Sequence, residues 1–418
     1  MPMWTSPETS PAERIVAMHH DITGNAPVQV ADAPATWVVI GENVDHYGGV
    51  TIVGLSSLRS AACYSLRDDD TVRVTFTAPG AEQVTEETTL ADVAAIAQAQ
   101  HAEFDEVGDI PERTMATRFA GIVHTLITRQ MLSRDTSGMD ITIDSDIPLG
   151  IGLGSMYAAD AALALALQAD NEDLDEAPQR ARLAEVCTQA VDQFSSMPVL
   201  RARHTAVLRG IHDTVSVVDY ADDSVTQAPH PKRAGVRIFA VTKDIGHADD
   251  SQAELISTRR DFITNACQNF GTDSLRTIPD ATVRVIEWLE AVHQVHGVED
   301  TPTLDEANRW LTFCENETLR ALAAAKALRS RHTNDLFALL NTPEDFHGLD
   351  TPDELVQLLN LRGAAAARPS AAGMSQAVIA YVPVPKADSF AADLADDGFH
   401  VIEIMTGDVA GLKDQPEG

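Results

Sequence analysis

Two periods of hydrophobic and polar positions divide this chain. Strand-like runs fall at residues 35–40 and 50–54, on either side of a Gly48-Gly49 turn, and again at 72–76, 139–143, 214–219, 236–241, 376–383 and 400–405. Apolar residues three to four apart (Met115, Phe119, Ile122, Val123, Leu126, Ile127) predict an amphipathic helix over 112–132. Further helices are predicted at 12–20, 177–194 and 386–395, and the Ala/Leu-rich run 158–167 predicts a buried one. From 251 to 340 helical periodicity dominates. A mixed first half and a helix-rich second half closed by strands predict an α+β fold. The polar, Pro-containing stretch 222–233 reads as a boundary, giving domains over 1–225 and 226–418.

With 418 residues the chain has room for two ordinary cores. Its formal net charge of -33 argues against nucleic acid and anionic membrane as partners. The same charge means that a site for an anionic nucleotide needs local cations, helix N-termini or a metal. No run approaches the roughly 18 apolar residues of a membrane span. The start, Met1 to Glu8, lacks the basic and apolar regions of a secretory leader. Cys63, Cys187, Cys267 and Cys314 form no CxxC pair, so neither a disulfide framework nor a zinc site is proposed by them. Buried thiols in a reducing compartment are expected, and with them a cytoplasmic location.

Gly150-Ile151-Gly152-Leu153-Gly154-Ser155 follows a predicted strand and opens a predicted helix. Glycines let backbone approach a ligand, and N–H groups at a helix start suit an anion. The motif by itself fits a phosphate loop and a plain strand-to-helix turn equally. It lacks the Gly-Lys-Ser/Thr of a P-loop and the acidic partner of a dinucleotide fingerprint.

The order of several segments carries more. Residues 33–45, with Ile40-Gly41-Glu42-Asn43-Val44-Asp45 and then Gly48-Gly49, resemble the signature A-P-G-R-x-N-L-I-G-E-H-x-D-Y-N-G-G. Residues 148–158 resemble the loop P-x-G-x-G-L-S-S-S-A, 198–219 the spacing of P-C-G-x-M-D-Q and its following strand, 241–247 the strand end N-S-x-V-x-H, and 367–374 the motif A-R-x-T-G-A-G-F-G-G. The chain thus resembles the galactokinase family of the GHMP small-molecule kinases over nearly its whole length. That resemblance implies a ribosomal-S5-like N-terminal domain, a ferredoxin-like, helix-rich C-terminal domain and a cleft between them. It implies ATP phosphates on Gly150, Gly152, Leu153, Gly154 and Ser155, and a sugar held by Glu42, Asn43 and Asp45. Carboxylates suit such work because they accept from hydroxyl donors.

The family's catalytic positions are substituted. Arg203 stands at the Asp beside the reacting hydroxyl, His204 at the Gln after it, and Thr36 at the Arg of the first motif. The metal-assisting Glu falls on Val191, next to Asp192, and Ser155 is the one remaining metal donor. Tyr157 replaces a small residue, and the family's sugar-facing Tyr has no counterpart near 252–260. Arginine cannot act as a general base. These exchanges favour an anion and disfavour Mg²⁺, while His204 remains a candidate base if neutral. Three functions stay open. One is an ATP-dependent kinase of galactose or a related hexose with an altered site. Another is a non-catalytic relative that binds sugar or nucleotide and acts on a protein partner. The third is an enzyme of the same fold that takes an anionic ligand through Arg203.

Overall fold

A computed structural model describes Trp4 and residues 7–99, 111–247, 251–299, 301–342, 346 and 348–413. The first helix, α1 (Pro11–Thr23), starts with a reciprocal Ser10–Glu13 capping box and ends at Gly24 in the left-handed conformation. Next come β1 (Gln29–Ile40), β2 (Val50–Leu66), β3 (Thr71–Thr77), β4 (Val84–Thr89), α2 (Leu90–Ala99), α3 (Met115–Thr128) and β5 (Met139–Ser145). They lead to α4 (Ser155–Leu167), α5 (Ala177–Phe194), α6 (Arg201–Arg209) and the hairpin of β6 (Thr214–Asp219) and β7 (Ser224–Pro229). The rest comprises β8 (Val236–Thr242), α7 (Ala253–Phe270), α8 (Ala281–His296), α9 (Leu304–Ser330), α10 (Thr333–Leu340), α11 (Asp353–Leu361), β9 (Ala366–Pro369), β10 (Val378–Pro383), α12 (Val384–Asp396), β11 (His400–Glu403) and β12 (Gly411–Lys413).

The first sheet runs β12-β1-β2-β5-β3-β4, and β6 with β7 joins it along the first half of β2. Only the β3–β5 pair is parallel among these ladders. Strand β2 is long enough to serve two partners: its residues Val50 to Gly54 pair with β6 and Ser60 to Leu66 with β5. Between them β1 and β2 slip in register, from Pro34 opposite Arg59 to Thr36 opposite Leu55. Such irregularities bend a strand and re-aim side chains. Here the irregularity sends the Thr36 N–H out of the ladder to the Leu153 carbonyl, 2.9 Å away.

The second sheet is antiparallel, in the order β11-β8-β10-β9, and α11 and α12 cover it through Leu359, Phe390 and Leu394. The chain crosses between sheets after β7, through a short 3₁₀ turn over Pro231–Ala234. Within the stretch 222–233, read from the sequence as a boundary, β7 pairs with β6 from Ser224 to Pro229 before the chain passes to the second sheet. The main core joins both sheets, with Trp37, Phe119, Leu163 and Tyr381 all fully buried. A second core lies among α7, α8 and α9, and Val44 and Tyr47 of the β1–β2 turn plug into it. Burying two apolar side chains there fixes the turn against the helices, each worth about 2 kcal/mol. Among the described residues no helix is long and apolar enough to cross a membrane.

Candidate active site

The Gly-rich segment links β5 to α4. Gly150, Gly152 and Gly154 have φ of 80°, 70° and 69°, values that favour glycine. A Cβ would also collide there: 2.1 Å from the His247 carbonyl at Gly150, 2.2 Å from Ser370 Oγ at Gly152, and 2.5 Å from Thr36 Oγ1 at Gly154. The loop carbonyls are taken up by the protein. Ser375 Oγ donates to Gly150 O (2.8 Å), Ser370 Oγ to Ile151 O (3.1 Å) and Arg203 Nη2 to Gly152 O (2.8 Å). No side chain caps α4. Gly154, Ser155 and Met156 at its start form part of a cavity wall, and uncapped N–H groups at such a place suit an anion.

The cavity has a volume of about 140 Å³ and lies between the Gly-rich loop, the 41–49 turn, α7 and the segment after β9. Its polar lining includes Glu42, Asn43, Ser155, Tyr157, Arg203 and Arg260. Arg203 is 2% exposed. Its Nη1 donates to the Thr36 carbonyl (2.7 Å) and to Thr36 Oγ1 (2.9 Å), so with the bond to Gly152 it ties β1 to the loop. Burial pushes its pKa down, against the pull of Tyr157 and Glu42. The Tyr157 ring lies under two guanidiniums, Arg118 at 5.4 Å and Arg203 at 5.6 Å. Its hydroxyl donates to Pro198 O and accepts from the Leu200 N–H, fixing the approach to α6.

Glu42 is buried, and its two carboxylate oxygens accept the N–H groups of Ala371 and Ala372, each at 2.9 Å. Burial raises its pKa, opposed by those N–H groups and by Arg203 and Arg368. Asn43 takes φ of 57°, which turns the chain between the two acids. Asp45 is buried with no hydrogen bond to either oxygen among the described residues. Arg260 Nη2 lies 3.6 Å from it and His46 Nε2 3.9 Å. Burial opposes ionisation of Asp45, but Arg260, His46 and Arg201 outweigh it and hold the pKa below the usual value.

The structure thus brings Thr36, Glu42, Asn43, Arg203 and the loop residues Gly150, Gly152, Leu153, Gly154 and Ser155 together, with Asp45 behind Arg260. It does not bring His204 to the cavity. That ring points into the domain, with Nε2 3.0 Å from Asp160 Oδ2 and Nδ1 3.2 Å from Thr188 Oγ1. Asp160 in turn is gripped by Arg118 through two bonds. Burial lowers the His204 pKa despite Asp160.

The residues present do not fit a protein-held Mg²⁺. Ser155 Oγ lies 3.2 Å from Ser145 Oγ, and the one carboxylate of the cavity, Glu42, is engaged by backbone. Val191 is buried in the core, and Asp192 faces a separate groove with Arg201 and Tyr220. Among the described residues no group of three or more His, Cys, Asp or Glu could hold a metal.

Sequence reasoning missed Arg260, Ser370 and Ser375 as parts of this site. A signal existed for Arg260. Ile256, Arg260 and Ile263 share one face of α7, so a charged residue stands on the face that packs inward. The serines had none, since their partners are loop carbonyls more than two hundred positions away. The same holds for Glu317, which accepts from the Gly41 N–H (2.8 Å) and from Arg368 (3.0 Å) and so anchors the 41–49 turn to α9.

No family model matches the chain. It is 23% identical over 385 residues to a galactokinase of Actinobacillus pleuropneumoniae serotype 3 (strain JL03), which covers 90% of either sequence. Against a galactokinase of Streptomyces coelicolor (strain ATCC BAA-471 / A3(2) / M145) the identity is 26% over 311 residues, 73% of either sequence. The crystal structure of Lactococcus lactis galactokinase complexed with galactose matches with a TM-score of 0.66 at 17% identity, over 94% of this chain and 98% of that one. The chain is galactokinase-like and has the GHMP kinase fold.

Proposed function

We propose that this chain holds a sugar and a nucleotide in a galactokinase-like cleft and transfers phosphate from ATP to galactose or a related hexose far more slowly than galactokinases do. The observation that carries this reading is Arg203. By the sequence resemblance it stands at the position of the family's base, and its donors are committed to Thr36 and Gly152. A guanidinium bound in this way cannot take a proton from a hydroxyl. The loop remains a place for phosphate, with its glycine backbone and the uncapped start of α4. Transfer would then rest on orientation and on cationic charge near the phosphoryl group, without proton removal by a side chain.

A non-catalytic reading is favoured by a different observation. Both Glu42 oxygens are bonded to Ala371 and Ala372, so this acid serves as a tie between the 41–49 turn and the second sheet's approach segment. In that reading the cleft senses sugar or nucleotide and acts through a protein partner. Thermal-shift titration tests the cleft common to both readings. A ligand that binds the native state raises the melting temperature by mass action. Rises with a hexose and with ATP are expected, and flat responses to both contradict the proposal.

A further inference from the structure

We infer that the sugar taken by this cleft carries an acidic group, a carboxylate or a phosphate ester, and that Arg260 reads it. The inference rests on the sugar-cleft reading above and narrows it to a class of substrate.

The charged residues that line the cavity are Glu42, Arg203 and Arg260, with the buried Asp45 ion-paired to Arg260 from outside the lining. Glu42 is already engaged by the Ala371 and Ala372 N–H groups. Of the cations, Arg203 has both terminal nitrogens bonded to protein carbonyls, and one of them also to a hydroxyl. Arg260 differs. Its Nη1 donates to the Val199 carbonyl. Its Nη2 stands 3.6 Å from Asp45 Oδ1, too far for a hydrogen bond. Its Nε is buried and has no partner among the described residues. The side chain is only 11% exposed, so water does not readily supply what the protein leaves out.

Arg260 therefore brings to a cavity of sugar-binding ancestry a mostly desolvated guanidinium whose Nε has no partner among the described residues and whose Nη2 is held by Asp45 through charge alone. A neutral hydroxyl offers a single acceptor of modest strength. A carboxylate or phosphate offers two oxygens in the plane of the fork, with charge assistance. Asp45 orients the guanidinium by charge from behind and does not itself line the cavity. Beside the polar Asn43, Ser155 and Tyr157, the walls include the apolar Pro148, Leu149, Ile256 and Met374, which strengthens any ion contact made inside. The chain's overall charge of -33 does not cancel this, because salt screens distant charges beyond about 8 Å.

The experiment is calorimetric titration of the full chain with galactose, galacturonate and galactose 6-phosphate, repeated for Arg260→Gln and Arg260→Lys. The expected result is that galacturonate or galactose 6-phosphate binds at least about tenfold more tightly than galactose, and the tighter of the two identifies the acidic group. Arg260→Gln should reduce that ratio to within about twofold of unity, and Arg260→Lys, which keeps charge without the fork, should leave an intermediate ratio. Melting temperatures report whether each variant is folded, and the lysine variant alone suffices if glutamine is not tolerated. Galactose binding as tightly as both acidic sugars overturns the inference and leaves the sugar cleft standing. An undiminished preference in both variants overturns the role of Arg260. Binding of ATP with no binding of any of the three sugars overturns the sugar cleft and the inference together.

Discussion

Arg203 Nη1 lies 2.7 Å from the Thr36 carbonyl and 2.9 Å from its hydroxyl. By resemblance these are the positions of the family's catalytic Asp and of the Arg beside it. In this chain the two positions are in contact. With the bond from Arg203 to Gly152, the contact is a brace between β1 and the Gly-rich loop.

Arg203→Ala should lower stability by about 3 kcal/mol, because it removes charge-assisted bonds and leaves the buried Thr36 carbonyl and the half-buried Gly152 carbonyl without this donor. Arg203→Lys should recover part of this, since one ammonium reaches fewer of the three acceptors. Arg203→Asp should be as harmful as alanine or worse, since it faces two carbonyls with a buried anion. Urea midpoints measure all three. Wild-type stability in Arg203→Ala would contradict the brace.

Two glycine variants separate backbone strain from collision. Gly24 has φ of 75°, and nothing lies within 4 Å of the place a Cβ would take. Gly24→Ala should thus cost about 1 kcal/mol from the left-handed backbone alone. Gly154→Ala adds a Cβ 2.5 Å from Thr36 Oγ1 and 2.9 Å from Arg203 Nη1. It should cost at least twice as much, and it should also abolish the ATP-induced thermal shift. Equal melting temperatures for the two variants would contradict this packing.

Much of the scaffold was legible in the sequence, because the helices and strands of the core have clean periods. The span 177–194 was predicted residue for residue, and so was 214–219. Strand β7 was not legible, since Ser224, Thr226 and Gln227 make it polar and half-buried at a sheet edge. Helix α6 was hidden for a related reason. Its buried positions include Arg203 and His204, whose partners Thr36, Gly152 and Asp160 come from other elements, so hydropathy points the wrong way. The glycine loop and the first motif were readable as local patterns. The commitment of Glu42 to Ala371 and Ala372 was not, because it joins positions more than three hundred residues apart.

Glu42→Ala should lower stability by about 2 to 4 kcal/mol by stranding the buried Ala372 N–H and the half-buried Ala371 N–H, and Glu42→Gln, which keeps an acceptor oxygen, should lower it by less. Denaturant unfolding of both variants measures the difference. Equal losses would show that the charge, not the acceptor geometry, ties the turn to the 371–372 backbone.

His230 sets a pH dependence. It is buried, and its Nδ1 accepts the Lys232 N–H at 3.1 Å, which requires that nitrogen to be unprotonated. Burial first, and then nearby Lys232, lower its pKa to about 4. The unfolded chain, with an ordinary value near 6.5, takes up the proton first as pH falls. Stability from this group is therefore complete above about pH 6.5 and declines as pH falls toward about 4, by about 1 kcal/mol at about pH 5.5. Burial likewise lowers His46 and His204, which adds to the same sign. His230→Asn should flatten the slope of unfolding free energy between about pH 7 and 5.5. An unchanged slope would contradict the assignment.

With Arg203 in place of a base, as proposed, phosphoryl transfer should be slow, and steady-state ADP release tests this most directly. The assay uses ATP, Mg²⁺ and galactose and runs beside an ordinary galactokinase under the same conditions. General-base catalysis and charge placement at such a centre are worth about 10² to 10⁴ in rate. The expected turnover is accordingly about a thousandfold or more below the reference enzyme, and turnover within about tenfold of it would contradict the account.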